Sequence, residues 1–153
     1  LRPATAADVA ELVRLRKLMM HAMGAPTGDP GWERACHEFL ATSLAEGTTG
    51  AVVADDPGLH GRLVACGVGT VAQRLPGPMA PSGRYGYIAS MVTEEAWRGR
   101  GLATGIVVRL LDWFAGIGVQ RVDLHASAEG DPIYRALGFA ESPYPELRWR
   151  RAH

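Results

Sequence analysis

The chain has 153 residues, 47% of them apolar and 21% charged, the proportions of a soluble globular protein large enough to bury a core without staples. Sixteen basic and sixteen acidic side chains cancel, which argues against a surface built mainly to hold nucleic acid or anionic lipid. Cys36 and Cys66 have no metal-like spacing and no apolar run is long enough to cross a bilayer, so the expected setting is the reducing cytoplasm, with no leader and no membrane partner.

In chain order, Leu1 to Ala4 reads as a short edge strand, and Thr5-Ala6-Ala7-Asp8 has the form of a capping box with Asp in the usual Glu place. Val9, Leu12, Val13, Met19, Met20 and Met23 follow at helical spacing, which predicts a helix from Ala6 to about Met23 with the methionines in the core. Gly24 to Gly31 is dense in turn formers and reads as a loop. A second helix is expected from about Trp32 to Ala45, with Ala35, Phe39 and Leu40 buried and a stop near Gly47.

Ala51–Asp55 and Leu63–Gln73 read as antiparallel strands joined at Pro57-Gly58. Cys66, Gly67 and Gly69 leave the second strand small-sided, which suits a bulge or the close approach of another backbone. Pro76 to Gly83 is a rigid surface loop. Arg84–Thr93 reads as the central strand, and Leu102–Phe114 as a helix with Leu102, Ile106, Val107, Leu110, Leu111 and Phe114 on one broad apolar face.

Gly105 inside that helix costs about 1 kcal/mol relative to alanine, which a close contact would offset. Gly116 and Gly118 end the helix, and Arg121–Ala126 forms the next strand, giving a parallel βαβ unit. Asp131 as N-cap and Pro132 at the first position start a short helix. Phe139–Glu141 and Leu147–Arg150 are expected to close the chain as a hairpin about Tyr144. Together these elements describe one mixed α/β domain over residues 1–153, a twisted central sheet flanked by helices.

The stretch Trp97-Arg98-Gly99-Arg100-Gly101-Leu102-Ala103-Thr104 joins the central strand to the long helix. The first N–H groups of a helix have no partner inside it and lie at the positive end of its dipole, so an anion can take those bonds. Gly99 and Gly101 let a phosphate approach the main chain, and Arg98 and Arg100 add two permanent charges. A Walker loop is excluded, because no Gly-Lys-Ser/Thr triplet follows Gly101. A dinucleotide-binding turn matches in part: its third glycine is replaced by Thr104, while Asp123 lies at about the right distance for a ribose-binding acid. A nucleotide-binding module therefore stands as an alternative.

Arg98-Gly99-Arg100-Gly101-Leu102-Ala103 also matches Gln/Arg-x-x-Gly-x-Gly/Ala, and here the chain resembles the GNAT superfamily of acetyl-coenzyme A-dependent N-acyltransferases. Asp131-Pro132-Ile133-Tyr134-Arg135-Ala136-Leu137-Gly138-Phe139 resembles that family's tyrosine helix with its Leu-Gly-Phe turn, and one helix and one strand separate the two motifs.

The resemblance implies transfer of an acetyl group from acetyl-CoA to a small-molecule or peptide amine, in a possible homodimer. It implies that Arg98, Gly99, Arg100, Gly101, Leu102, Ala103 and Thr104 hold the pyrophosphate. Met91, Val92 and Thr93 would line the pantetheine arm through their main chain, and Ser127 would fall where relatives often place an asparagine near the cofactor. Tyr134 would protonate the departing thiolate, as a phenol with a reference pKa of about 10 can do at pH 7. His21, Trp32, Glu33 and His37 would lie near the acceptor, with His125 also assigned to that side.

The base that accepts the amine proton stays open among Glu33, Glu94, Glu95, His125 and a held water, since Arg84–Thr93 contains no carboxylate. A non-catalytic acyl-CoA sensor of the same fold is the further alternative.

Overall fold

The computed structural model describes residues 1–152. β1 (Arg2–Pro3) leads through a single turn of 3-10 helix at Ala6–Asp8 into α1 (Val9–Ala22), which is followed by α2 (Gly31–Glu46). β2 (Thr49–Asp55), β3 (Leu63–Gln73), β4 (Arg84–Ile88) and β5 (Val92–Thr93) come next. Then follow a second 3-10 turn at Glu95–Trp97, α3 (Leu102–Gly116), β6 (Val122–Leu124) and α4 (Asp131–Ala136). The strands form one six-stranded sheet in the order β1-β2-β3-β4-β6, with β5 also paired to β3. Among the described residues only β4 and β6 run parallel, so the fold is mixed α and β around an open, mostly antiparallel sheet.

Period-two alternation, interrupted by a bulge at Val64 that leaves it on the same face as Ala65, divides the strands between two cores. On one face Val53, Cys66, Val68 and Val92 meet Val9, Leu12 and Leu15 of α1 and Leu40 of α2. On the other, Val52, Val64, Ala65 and Ile88 meet Ile106, Val107, Leu110 and Phe114 of α3, together with Tyr134. Those four α3 side chains are all but fully buried, each stabilising the fold by about 1.5–3 kcal/mol of apolar burial.

The small-sided centre of β3 admits α3. A Cβ on Gly69 would come within 2.7 Å of the Phe114 ring, and one on Gly67 would run into Ile106. The close approach is therefore by helix side chains rather than by a second backbone. Gly105 in turn faces the Leu1 side chain.

At the start of the chain, the Asp8 carboxylate accepts the Thr5 N–H at 2.7 Å and both Arg2 terminal nitrogens at 2.8 Å. Arg2 also donates to Asp55 at 2.7 and 2.9 Å. One guanidinium thus fastens the first helical turn to the end of β2.

Several expectations are corrected. The run Arg84–Thr93 is two strands, not one. Between Ile88, opposite Gly69, and Val92, opposite Cys66, three residues face two, which is a β-bulge. No strand forms between Leu137 and Ala152, so the terminal hairpin is absent; Pro143 and Pro145 flank its proposed tip, and proline cannot donate to a ladder. The sixth strand is shorter than the expected Arg121–Ala126.

On α2, Leu40 and Ser43 are buried while Phe39 is 54% exposed and Ala35 lies outside. The inward stripe runs Cys36, Leu40, Ser43, Leu44, and Phe39 falls one position off it. Met23 is also exposed, just past the end of α1. Gly130, not Asp131, is the cap of α4, and Asp131 is its first residue.

Candidate active site

β4 and β6 pair only through Gly86↔Val122, Tyr87↔Asp123 and Ile88↔Leu124. Beyond Ile88 the bulge carries the chain away, and among the described residues β5 keeps β3 as its sole partner. One edge of β5 is consequently open, facing the gap that β6 and α4 border on the other side. The Thr93 carbonyl turns into that gap, where Arg98 Nε donates to it at 3.2 Å. Met91 packs its side chain toward α3, and Val92 toward α1. What Met91, Val92 and Thr93 present along the edge is main chain.

The turn after β5 supplies the positive end. Gly99 and Gly101 have φ of +71° and +74°, a conformation that costs a residue with a Cβ roughly 1–2 kcal/mol. A Cβ at either would meet nothing within 4 Å, so glycine is required here by conformation, and the concave side remains open. Left-handed residues alternating with ordinary ones turn successive N–H groups to one side, an anion-binding nest.

Gly101 caps α3 without a side-chain bond, and the first N–H to bond back is that of Gly105, to the Gly101 carbonyl at 3.0 Å. The N–H groups of Leu102, Ala103 and Thr104 are left without partners inside the helix. Arg100 lies over the Trp97 ring with its guanidinium carbon 4.6 Å from the centroid and donates to the Ala96 carbonyl. Arg98 reaches only to 4.0 Å from exposed Glu129. Both arginines therefore keep their charge beside the nest.

Tyr134 sits on α4 with its ring in the α3-side core and its edge against Phe139, centroids 5.8 Å apart. Gly130, one turn earlier, leaves room for it: a Cβ there would come within 2.9 Å of the ring. Burial pushes the Tyr134 phenol above its ordinary pKa, so it holds its proton throughout the neutral range. Ser127 is placed beside this helix, but its hydroxyl accepts the Gly130 N–H at 3.2 Å, a local turn that sets up α4.

The proposed acceptor-side residues are not one cluster. Glu33, in the first turn of α2, pairs with Lys17 of α1 at 2.7 Å, and Trp32 is half-buried beside it. His125 follows β6 directly; its Nδ1 is hydrogen-bonded to the Tyr87 hydroxyl, and its Nε2 lies 2.9 Å from Glu146. Glu94 is held by Arg14 at 2.8 Å and Arg62 at 3.1 Å, a carboxylate already engaged in two ion pairs. Asp123 is likewise engaged, by Arg121 at 3.1 Å and Arg74 at 3.8 Å.

Tyr87 and Glu146 escaped the sequence reading. Tyr87 could have been found from strand parity, since Gly86 and Ile88 face α3 and Tyr87 must face the other way; Glu146 carried no signal.

The remaining chemistry is limited. Cys66 is buried and its thiol is pushed up to about 12, an unreactive packed sulfur. Among the described residues no group of His, Cys, Asp or Glu has the arrangement of a metal site, and no helix is long and apolar enough to cross a membrane. A hollow of 350 Å3 lined by Thr49, Gly50, Arg109 and Trp113 lies between β2 and α3, toward the β1 edge of the sheet and away from the split at β4 and β6.

A strand edge left open beside the unpartnered N–H groups of a helix start can take an extended, amide-bearing ligand with an anionic end. Residues 12–139 match the acetyltransferase (GNAT) family, and the chain belongs to it; members of that family are acyltransferases that use acetyl-CoA.

Glucosamine 6-phosphate N-acetyltransferase 1 of Oryza sativa subsp. japonica is 32% identical over 108 residues, covering 71% of this chain and 62% of that protein. The chain therefore spans less than two thirds of that relative. A predicted acetyltransferase from Clostridium acetobutylicum, solved with acetyl-CoA, superimposes with a TM-score of 0.84 at 28% identity, over 96% of this chain and 94% of that one. Glucosamine-6-phosphate N-acetyltransferase from Arabidopsis thaliana shares the fold, with a TM-score of 0.72 at 17% identity over 97% and 95% of the two chains.

Proposed function

We propose that this chain transfers the acetyl group of acetyl-CoA to the amine of a small acceptor, with Tyr134 as the proton donor to the leaving sulfur. The observation that carries the reading is the bulge at Ala89–Met91, which opens the edge of β5 immediately before the nest at Gly99 and Gly101. The residues fit the cosubstrate. The first N–H groups of α3, with Arg98 and Arg100, suit its pyrophosphate, and the outer edge of β5 along Met91–Thr93, where Val92 pairs inward with β3 and Thr93 turns its main chain outward, suits an extended amide-bearing arm, which pairs like an added strand.

Acetyl-CoA brings an activated acyl group, and the chain's contribution is chiefly to hold it and the amine in register. Such positioning is worth up to about 7–11 kcal/mol of barrier. The thiolate needs a proton, and the raised pKa of Tyr134 keeps one at hand. Ser127 is better read as a turn former than as a cofactor contact.

The acceptor belongs on the α1 and α2 face, where Arg16 of α1 is half-buried and has no ion-pair partner among the described residues. An amine that also carries an anionic group suits that side, and glucosamine 6-phosphate, the acceptor in the name of the rice relative, is the first to test. The assay follows free thiol released from acetyl-CoA over a panel of glucosamine 6-phosphate, spermidine, an aminoglycoside and a lysine peptide. Turnover of one panel member supports the reading. Tight coenzyme A binding with no turnover of any amine would make the chain an acyl-CoA sensor instead.

A further inference from the structure

Tyr87, His125 and Glu146 come from three separate parts of the chain and meet at the mouth of the split sheet. Tyr87 is next to last in β4, and Leu124, opposite Ile88 on β6, immediately precedes His125. Gly86 and Ile88 pack on α3, so Tyr87 faces the opposite, α1 side of the sheet, two residues before the bulge. Its hydroxyl is bonded to His125 Nδ1, the rings lie 5.7 Å apart, and His125 Nε2 is 2.9 Å from a Glu146 oxygen.

In the neutral imidazole the order of partners fixes the tautomer. A carboxylate only accepts, so Nε2 carries the hydrogen; Nδ1 of the neutral ring then presents its lone pair, and Tyr87 donates to it. Burial, with the Glu146 charge, raises the Tyr87 phenol above its ordinary pKa, which keeps the donor protonated. The other charges facing Tyr87 are Arg16 from α1 and Arg148 from the C-terminal segment. Asp123, its register partner on β6, is engaged by Arg121 and Arg74.

Resting on the acetyl-transfer reading, we propose that Tyr87, His125 and Glu146 form a proton relay that receives the proton of the incoming ammonium. The ammonium N–H bond breaks as an O–H bond forms at the Tyr87 oxygen. The proton already on that oxygen passes to His125 Nδ1, and the nitrogen keeps its electron pair for attack on the acetyl carbonyl. The resulting imidazolium is balanced by the Glu146 carboxylate. His125 is 53% exposed on its side chain and returns the proton to water.

Tyr87 touches the substrate and His125 is the terminal acceptor, while Glu146 is a positioning residue that sets the tautomer. The relay supplies the proton acceptor that β4 and β5 lack as a carboxylate, and it does so without Glu94, which is engaged in ion pairs with Arg14 and Arg62.

Two measurements test it. Long-range 1H–15N NMR of the free protein reads the His125 tautomer without any turnover. Hydrogen on Nε2 is expected, and hydrogen on Nδ1 would overturn the relay. Kinetics then compare Tyr87→Phe, His125→Gln and Glu146→Gln on the panel amine that the parent chain acetylates fastest.

At pH 7, Y87F and H125Q should lose about 10²-fold or more in kcat with an unchanged acetyl-CoA KM, and E146Q less. All three deficits should shrink as the pH approaches the amine's own pKa, where the acceptor arrives uncharged. Parental rates and pH profile in Y87F and H125Q would overturn the relay while leaving acetyl transfer intact. A parent chain that acetylates no panel amine would sink the transfer reading and the relay with it.

Discussion

Ile88 is the last residue of β4 to pair with β6, opposite Leu124, and four residues later Val92 pairs with β3 alone. The extra residue between them separates the two strands and exposes an unpaired edge in the middle of a sheet, which a folded chain ordinarily avoids. An extended ligand with its own amides is the natural occupant of such an edge, and the nest at Gly99 and Gly101 lies where the ligand's charged end would fall.

The proton donor gives the first prediction. Tyr134→Phe removes one oxygen and keeps the ring against Phe139. Its kcat should fall by about 10²-fold or more, with the dissociation constant of coenzyme A nearly unchanged by calorimetry. An unaltered kcat would remove the donor role.

The nest gives the second. Gly101→Ala forces a Cβ into φ of +74°, at roughly 1–2 kcal/mol. If the loop relaxes to relieve that strain, the N–H groups turn away from the phosphate. Thermal melting should show a loss of a few degrees, and coenzyme A affinity should fall about tenfold or more. Full affinity in a folded variant would place the phosphate elsewhere.

Packing gives the third. A Cβ on Gly86 would approach the Phe114 ring to 2.6 Å, and that ring is buried with no free side to move toward. Gly86→Ala should destabilise by about 1–3 kcal/mol in urea unfolding, with Phe114→Leu added as a second change recovering part of the loss.

The Arg2–Asp8–Asp55 cluster gives the fourth, and its sign follows from linkage. Arg2 holds the Asp8 carboxyl down to about 2 in the folded chain, below the ordinary value near 3.9. Its contribution is complete above about pH 4 and is lost as the pH falls through about 2. Since Arg2 is partly exposed, the worth is on the order of 1–2 kcal/mol. Asp8→Asn should therefore lower the Tm by several degrees at pH 7 and leave it nearly unchanged at pH 2.

Much of this was legible in the sequence because it is local. The apolar spacing of α1 and α3, the turn residues about β2 and β3, and the glycines at 99 and 101 each act on their own neighbourhood. The phase of α2 was not, since Phe39 and Leu40 are adjacent apolar residues and only the packed sheet decides which one is covered. The bulge at Ala89–Met91 was hidden for a related reason: its residues are all compatible with a continuous strand, and the break shows only in the register against β3. The meeting of Tyr87, His125 and Glu146 is more distant still, joining residues 38 and 21 positions apart through the parallel pairing of β4 and β6 and an irregular C-terminal segment.

A crystal structure of the chain with coenzyme A bound tests the central claim most directly. The account predicts the pyrophosphate within hydrogen-bonding distance of the N–H groups at the start of α3, the arm along Met91–Thr93, and the sulfur beside the Tyr134 hydroxyl. A coenzyme seated elsewhere, with that turn closed to it, would contradict the account.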